Sequence, residues 1–262
     1  MTVGFFGLGE AGSLISADLA AAGATVTGFD PAPTGTPQSV RRVTEPTTAV
    51  EDADLVMAVT AAGDAMVALT QALDAIPPGA VYADLSTASA QRKRDLAEVA
   101  AGRSLAFADV ALMDMVPGNG VFGKSLASGP GAERYAGMLA PIGVPVEPIG
   151  GEPGLAATRK LLRSVVMKGV PALLIEAMRA AQAAGLGDET WDNLIGQLTS
   201  ADETFIRTLL EGTATHSARR TAEMEAATEL LESLGVDPVM TRSTTESHRR
   251  MPAEGLPQLP GP

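Results

Sequence analysis

VGFFGLGEAGSLISADLAAAGATVTGFD, residues 3–30, is the stretch that decides the fold of this chain. An apolar run at residues 3–6 reads as a buried strand and leads into a turn spaced Gly7-x-Gly9-x-x-Gly12. Helix formers follow over residues 14–22, and a second β-like run at residues 25–29 stops at Asp30. Each glycine meets a separate need. The first permits a tight turn, the second lets backbone approach a pyrophosphate, and the third lets the helix pack closely on the strand. The helix start offers free N–H groups and the positive end of its dipole, which suits two phosphates. Gly7, Leu8, Gly9, Glu10, Ala11 and Gly12 are therefore the expected phosphate-binding residues of a dinucleotide site. Asp30 stands where a carboxylate accepts hydrogen bonds from ribose hydroxyls, which favours NAD because a 2′-phosphate would meet a like charge. NADP stays open, since Arg41 and Arg42 could fold back toward that ribose, and FAD uses a related turn.

The chain has 262 residues, enough to bury a sizeable core and to form two domains, and its 45% apolar content is that of a globular protein. Its formal net charge is −12 with no long basic run, so nucleic acid is not an expected partner. There is no cysteine, which removes disulfides, thiolate metal sites and thiol nucleophiles. Two histidines far apart in sequence give no metal signature. The N-terminus enters the first strand without a basic leader or apolar signal core, and no apolar stretch is long enough to span a bilayer. The expectation is a cytoplasmic protein that binds a small-molecule substrate.

Up to about residue 150, short β-like runs at 55–59, 81–85 and 105–110 alternate with helical patterns at 63–75, 88–101 and 131–140, and shorter runs at 126–128 and 144–148 could extend one edge. Such alternation predicts an α/β Rossmann domain with a mostly parallel, doubly wound sheet over residues 1–150. Thr60, just after the run at 55–59, joins the expected cofactor-binding residues. Beyond Gly154 the strand signal disappears. Residues 155–184 read as one long helix or a pair interrupted at Gly169 and Pro171, and further helices are expected at 188–200, 203–212 and 216–234. Residues 151–250 thus form an all-α domain, and the proline-rich residues 251–262 a disordered tail.

The order of these parts, with DLST at 84–87 and a lysine early in the helix that opens the helical half, resembles the β-hydroxyacid dehydrogenase superfamily. That group includes 3-hydroxyisobutyrate and 6-phosphogluconate dehydrogenases and, more distantly, imine reductases. The resemblance covers nearly the whole chain. MKG at 167–169 and HSARRTAEME at 216–225 are similar to its phosphogluconate-dehydrogenase-like branch.

The family pattern G-x-x-x-x-x-K-x-x-x-N meets GLAATRKLLRS at 154–164, with Gly154, Lys160 and, in the asparagine place, Ser164. The resemblance implies that Lys160 is a general acid/base and that Ser164 orients a substrate hydroxyl. Chemistry agrees, since hydride transfer between a nicotinamide and a carbinol carbon needs a partner for the hydroxyl proton, and a partly buried lysine can be tuned toward neutral pH. The plainer reading is a solvated lysine on an amphipathic helix, with Lys168 as a rival. By the same resemblance Ser86 and Thr87 lie beside the nicotinamide ribose and the substrate, although Thr87 or Ser89 could simply cap the following helix. Met113, Asp114 and Met115 take the places of a serine and two glycines that hold a carboxylate in the family. A bulkier, less acidic or amine-bearing substrate suits this loop better, unless the methionines are core filler and Asn119 or Gly120 makes the contact.

His216, Arg219, Arg220 and Glu223 have one-face helical spacing, so His216 and Arg220 or Arg219 could bind substrate, while a solvated charged face is the simpler alternative. Met167 replaces the second acid, a glutamate, of the decarboxylating relatives, which argues against that reaction. Long amphipathic helices in so short a domain imply a homodimer. The reading is an NAD(P)-dependent oxidoreductase of a small β-hydroxy acid or related alcohol or carbonyl. The alternatives are an imine reductase and a dinucleotide-binding sensor without catalysis.

Overall fold

A computed structural model describes residues 1–32 and 35–261. The chain divides into two units, Met1–Arg163 and Ser164–Pro262. The first contains β1 (Thr2–Phe6), α1 (Glu10–Ala21), β2 (Thr25–Phe29), β3 (Arg41–Val43), β4 (Leu55–Ala58), α2 (Ala65–Thr70), β5 (Val81–Asp84), α3 (Ala90–Ala101), β6 (Ala106–Leu112), the single turn α4 (Val116–Asn119), β7 (Ser125–Ser128), α5 (Ala132–Leu139) and β8 (Val146–Pro148). The opening turns of α6 (Leu155–Ala183) also belong to it. The division falls inside α6, and not where the strand signal ends near residue 150, because Ala156 packs with Ala111 and Leu126 on the sheet.

Among the described residues the strands form one eight-stranded sheet in the order β3-β2-β1-β4-β5-β6-β7-β8, in which only the β6–β7 pair is antiparallel. Strand order reverses between β1 and β4, and ligands of open α/β sheets bind beyond the carboxyl ends of strands at such a point. The two-residue period of the strands splits the core. Val3, Phe5, Leu55, Met57, Val81 and Ala83 pack in one cluster with Ile15 and Leu19 of α1. Phe6, Val56, Ala58 and Tyr82 pack in the other with Leu69 of α2 and Leu96 of α3. Burial on both faces explains why these strands are near-continuous apolar runs. β3 is absent from the sequence reading because Arg41-Arg42-Val43 lacks an apolar run, and charged residues suit a short edge strand.

In the second unit, the rest of α6 is followed by α7 (Gly187–Thr199), α8 (Glu203–Thr215), α9 (Ser217–Ser233) and α10 (Val239–Glu254). The stretch at 155–183 is one helix, with Pro171 inside it. His216 is the junction between α8 and α9, with φ −117° and ψ 27°, and so leaves the helical face it was expected to share with Arg219 and Arg220. α10 was not expected, and it takes residues 251–254 out of the anticipated tail. Its N–H groups at Met240 and Thr241 donate to the Glu176 carboxylate, each at 2.8 Å, which satisfies donors that a helix start otherwise leaves open. Residues 255–261 have no regular secondary structure, and the Pro260 carbonyl accepts from Arg207 at 2.7 Å. Pro262, the end of the expected tail, lies outside the described residues. Among the described residues no helix is long and apolar enough to cross a membrane.

Candidate active site

The glycine turn has the geometry its spacing implies. Gly7 has φ +88°, and a Cβ there would lie 2.2 Å from the Val59 carbonyl oxygen. At Gly12 a Cβ would lie 1.9 Å from the Gly7 carbonyl oxygen, so this residue lets α1 pack on β1. Gly9 differs, because a Cβ there meets nothing within 4 Å. Its flank is the open one. Gly9 also precedes the first turn of α1 with no side-chain cap, so the opening N–H groups of that helix lack a capping side chain. Leu8 is buried and belongs to the core, and its N–H donates to Asp30 Oδ2 at 2.6 Å. The other carboxylate oxygen of Asp30 accepts from Ala32 N–H at 2.8 Å. Arg42 reaches back across this loop, donating to the carbonyls of Asp30 at 3.0 Å and Ala32 at 2.5 Å. A guanidinium therefore stands beside Asp30.

A cleft of about 370 Å³ opens here, lined among others by Gly9, Asp30, Thr60, Asp64, Val67 and Gln71. The Thr60 hydroxyl is buried and has no hydrogen-bond partner among the described residues. Buried hydroxyls are rarely left so, and Thr60 is one of the residues that line this cleft. The glycine cradle, the uncapped helix start, Asp30 and the orphaned hydroxyl together fit the adenosine and pyrophosphate parts of a dinucleotide. Asp64, Val67 and Gln71 were missed by the sequence reading, since nothing in their local pattern marks a wall of this cleft.

The DLST loop follows β5. Ser86 is buried, and its hydroxyl donates inward to Asp84 Oδ2 at 2.8 Å, while Thr87 is exposed on the loop surface. Ser89, not Thr87, caps α3, accepting from Arg92 N–H at 3.4 Å. Asp84 is part of a buried ionic network. Lys93 Nζ lies 2.7 Å from Asp84 Oδ2 and 3.2 Å from Asp109 Oδ1. Asp109 Oδ2 accepts from Ser128 Oγ at 3.0 Å and from the N–H groups of Gly154 at 2.9 Å and Ala157 at 3.1 Å. Ser128 Oγ in turn accepts from Ala156 N–H at 3.0 Å. Gly154 has φ +100° and would place a Cβ 2.8 Å from the Ala90 carbonyl oxygen, which accounts for the glycine six residues before Lys160. From this anchor α6 runs toward the carboxyl end of β6, where Arg163 hydrogen-bonds the Met113 carbonyl. Lys160, one turn earlier, is half-buried and Ser164 is half-buried on the following turn. Lys93 was missed because it sits in QRKRD, a run that reads as a solvated helix face.

In the loop after β6, Met113 packs at the edge of the small cluster around Ala111, Leu126 and Ala156. Met115 is 78% exposed. Asp114 Oδ2 accepts from Lys124 N–H at 2.8 Å, and Asp114 lines a shallow cleft with Lys124, Arg159 and Arg163. The loop is tied to the cofactor helix by Asp18, whose Oδ2 accepts from Val121 N–H at 2.9 Å. Gly120, with φ +56°, would place a Cβ 1.7 Å from that same oxygen. In the second unit, Arg219 pairs with Glu223 at 2.5 Å on the surface, and Arg220 donates to Thr213 Oγ1 at 2.7 Å.

Comparison with known proteins agrees with this geometry. The NAD binding domain of 6-phosphogluconate dehydrogenase matches residues 2–113, and a domain of unknown function, DUF1932, matches residues 181–251. A probable 3-hydroxyisobutyrate dehydrogenase of Mycobacterium tuberculosis is 27% identical over 205 residues, covering 74% of this chain and 68% of the relative. An uncharacterized 28.5 kDa protein of Methanothermus fervidus is 31% identical over 121 residues, so the match spans about half of each chain, 46% and 48%. Among solved structures, the conserved protein MTH1747, described as similar to 3-hydroxyacid dehydrogenases, is 26% identical with a TM-score of 0.57, covering 96% of both chains. A reductive aminase of Aspergillus terreus in complex with NADPH shares the fold, with a TM-score of 0.79 at 20% identity over 97% of this chain and 94% of that one. The chain thus carries an NAD-binding domain of the 6-phosphogluconate dehydrogenase type followed by a DUF1932 domain, and over most of its length it is similar to proteins of the β-hydroxyacid dehydrogenase superfamily.

Proposed function

We propose that the protein is an NAD(P)-dependent oxidoreductase acting on a small β-hydroxy acid or a related alcohol or carbonyl compound. The observation that carries this reading is the cleft beside Gly9, Asp30 and the unpartnered Thr60 hydroxyl, at the strand-order reversal of the same sheet whose β6 end meets the Lys160 turn of α6. The bound dinucleotide supplies the hydride acceptor or donor. In this reading the N–H groups at the start of α1 hold the pyrophosphate, Asp30 holds the adenosine ribose, and Thr87 borders the nicotinamide end. Lys160 takes the hydroxyl proton during oxidation and returns it during reduction, and Ser164 orients that hydroxyl. The loop at 113–115 shapes the substrate pocket, with His216 or Arg220 as a further contact. Asp30 supports NAD, while Arg42 beside it supplies the positive charge that a 2′-phosphate requires, so use of both cofactors is consistent with this corner.

The reading includes a homodimer in the cytoplasm. It is supported by Leu162, Val165, Val166, Trp191 and Ile206, large apolar side chains more than half exposed along α6, α7 and α8. A single species of monomer mass in light scattering across a wide concentration range would remove the dimer. Imine reduction is the second reading, favoured by Asp114 and two methionines where a carboxylate cradle is expected.

The test is calorimetric binding of NAD(H) and NADP(H), followed by absorbance of the reduced nicotinamide with hydroxy acids, alcohols and cyclic imines, for the native protein and Lys160→Ala. Alcohol oxidation that falls by about 100-fold or more in Lys160→Ala supports the proposal. Turnover of imines alone reverses the order of the two readings, and tight binding without any turnover turns the protein into a sensor.

A further inference from the structure

The buried Lys93–Asp84–Asp109 network lies outside the chemistry proposed above, and its composition is unusual. All three side chains have 0% exposure, and two carboxylates face a single ammonium. A buried charge without compensation is strongly unfavourable, and here the compensation comes from backbone. The N–H groups of Gly154 and Ala157 bind Asp109 directly, that of Ala156 binds through Ser128, and all three belong to the entry of α6, the positive end of that helix. On its other side the network holds Ser86, at the DLST loop, through Asp84. The two borders of the candidate active site are thus fastened to the same buried charge.

We infer that Asp109 and Ser128 are positioning residues that lock the first turn of α6 to the sheet and thereby fix Lys160 relative to the DLST loop. α6 cannot shift or fray at its start without leaving Asp109 buried and under-compensated, so the lock is stiff. The inference rests on Lys160 as the proton-transfer group only for its catalytic meaning, because the position of Lys160 can be read without catalysis.

Trace acetylation of the full-length protein by acetic anhydride, quantified by mass spectrometry, gives the reactivity of Lys160 relative to Lys168, an exposed lysine later in the same helix. Ser128→Ala removes a hydroxyl that both donates to Asp109 and accepts from α6, and the inference expects the Lys160:Lys168 ratio to rise roughly fivefold, as follows from loss of a buried hydrogen bond. Asp109→Asn, which keeps an acceptor oxygen but removes the charge, is expected to raise it as well. With any compound of the hydroxy acid, alcohol and imine panel that the native protein turns over, kcat is expected to fall in both variants while KM for the dinucleotide is unchanged. An unaltered acetylation ratio in both variants, each with cooperative unfolding, overturns the lock. If Lys160→Ala keeps full turnover the proton-transfer reading fails, and the acetylation result still decides the positional claim.

Discussion

Gly9→Ala and Gly12→Ala, two identical changes three residues apart, are expected to have opposite signatures. At Gly12 the added methyl carbon would sit 1.9 Å from the Gly7 carbonyl oxygen and 2.9 Å from its carbon, both backbone atoms of the turn. Neither can rotate away, so α1 must move off β1 or the turn must open, at about 1–3 kcal/mol of stability for overpacking a rigid site. Gly9 has φ −66° and ψ −165°, extended backbone that alanine adopts freely, and its methyl would meet nothing within 4 Å. Loss of a tolerated N-cap and the reduced entropy of the unfolded chain oppose each other there, each under about 1 kcal/mol, so stability stays nearly constant. If a pyrophosphate lies against Gly9, the methyl takes the space it needs. The same overpacking of about 1–3 kcal/mol in the complex gives a loss in affinity of roughly 5- to 150-fold. The assay is urea denaturation of each variant beside fluorescence titration with NADH and NADPH. Gly9→Ala is expected to keep the native midpoint and lose binding, and Gly12→Ala to lose both. Native affinity in Gly9→Ala would refute the placement of the phosphates, and a native midpoint in Gly12→Ala would refute the packing argument.

Thr60→Val removes the unpartnered hydroxyl at nearly constant shape, so denaturation should show unchanged or slightly higher stability, about 1 kcal/mol at most, while dinucleotide affinity drops. Lys93→Met leaves Asp84 and Asp109 buried together without their cation and should cost about 3–5 kcal/mol in the same measurement, far more than removal of any surface ion pair such as Arg249 with Glu225. Glu176 is pushed up by burial, but hydrogen bonds from the Thr241 hydroxyl and the Met240 and Thr241 N–H groups, with Arg242 nearby, outweigh this and hold its carboxyl below the ordinary range. Its stabilisation is therefore complete above the unfolded value near 4.5 and is lost as pH falls through the lower folded value, so the stability difference between the native protein and Glu176→Gln should shrink in acid. Asp30→Ala should raise the ratio of NADPH to NADH affinity in calorimetry, because it removes the negative charge and leaves Arg42 beside the ribose, and an unchanged ratio would count against Asp30 as the discriminating group.

The glycine turn, the acid after the second strand and the alternation of strand and helix were all readable from consecutive residues. Gly12 answers a steric demand set five residues back and Gly7 the positive φ of the turn, although the carbonyl that crowds Gly7 comes from the distant Val59, and the apolar runs at 55–58 and 81–85 are buried on both faces. The second half was read less completely. α10 carries the stretch TRSTTES, poor in strong helix formers, and it forms where Glu176 satisfies its first N–H groups and α9 packs along it. Likewise His216 belonged to a plausible helical stripe, yet it became the break between two helices.

What sequence alone determined is the set of local backbone requirements: where the chain must turn tightly, where a helix must start open, which runs must be buried. Tertiary structure decided the pairing of charge. Lys93 looks solvated in QRKRD and is fully buried between carboxylates from β5 and β6, while Ser86 turns its hydroxyl into that network. Asp18 holds Val121 across 103 positions of chain, and Arg42 folds over the loop at Asp30. Backbone conformation depends on neighbours along the chain and is written in a few adjacent residues. The state of a charged or hydroxyl group depends on what lies within a few ångströms in space, and only the folded sheet brings those partners together.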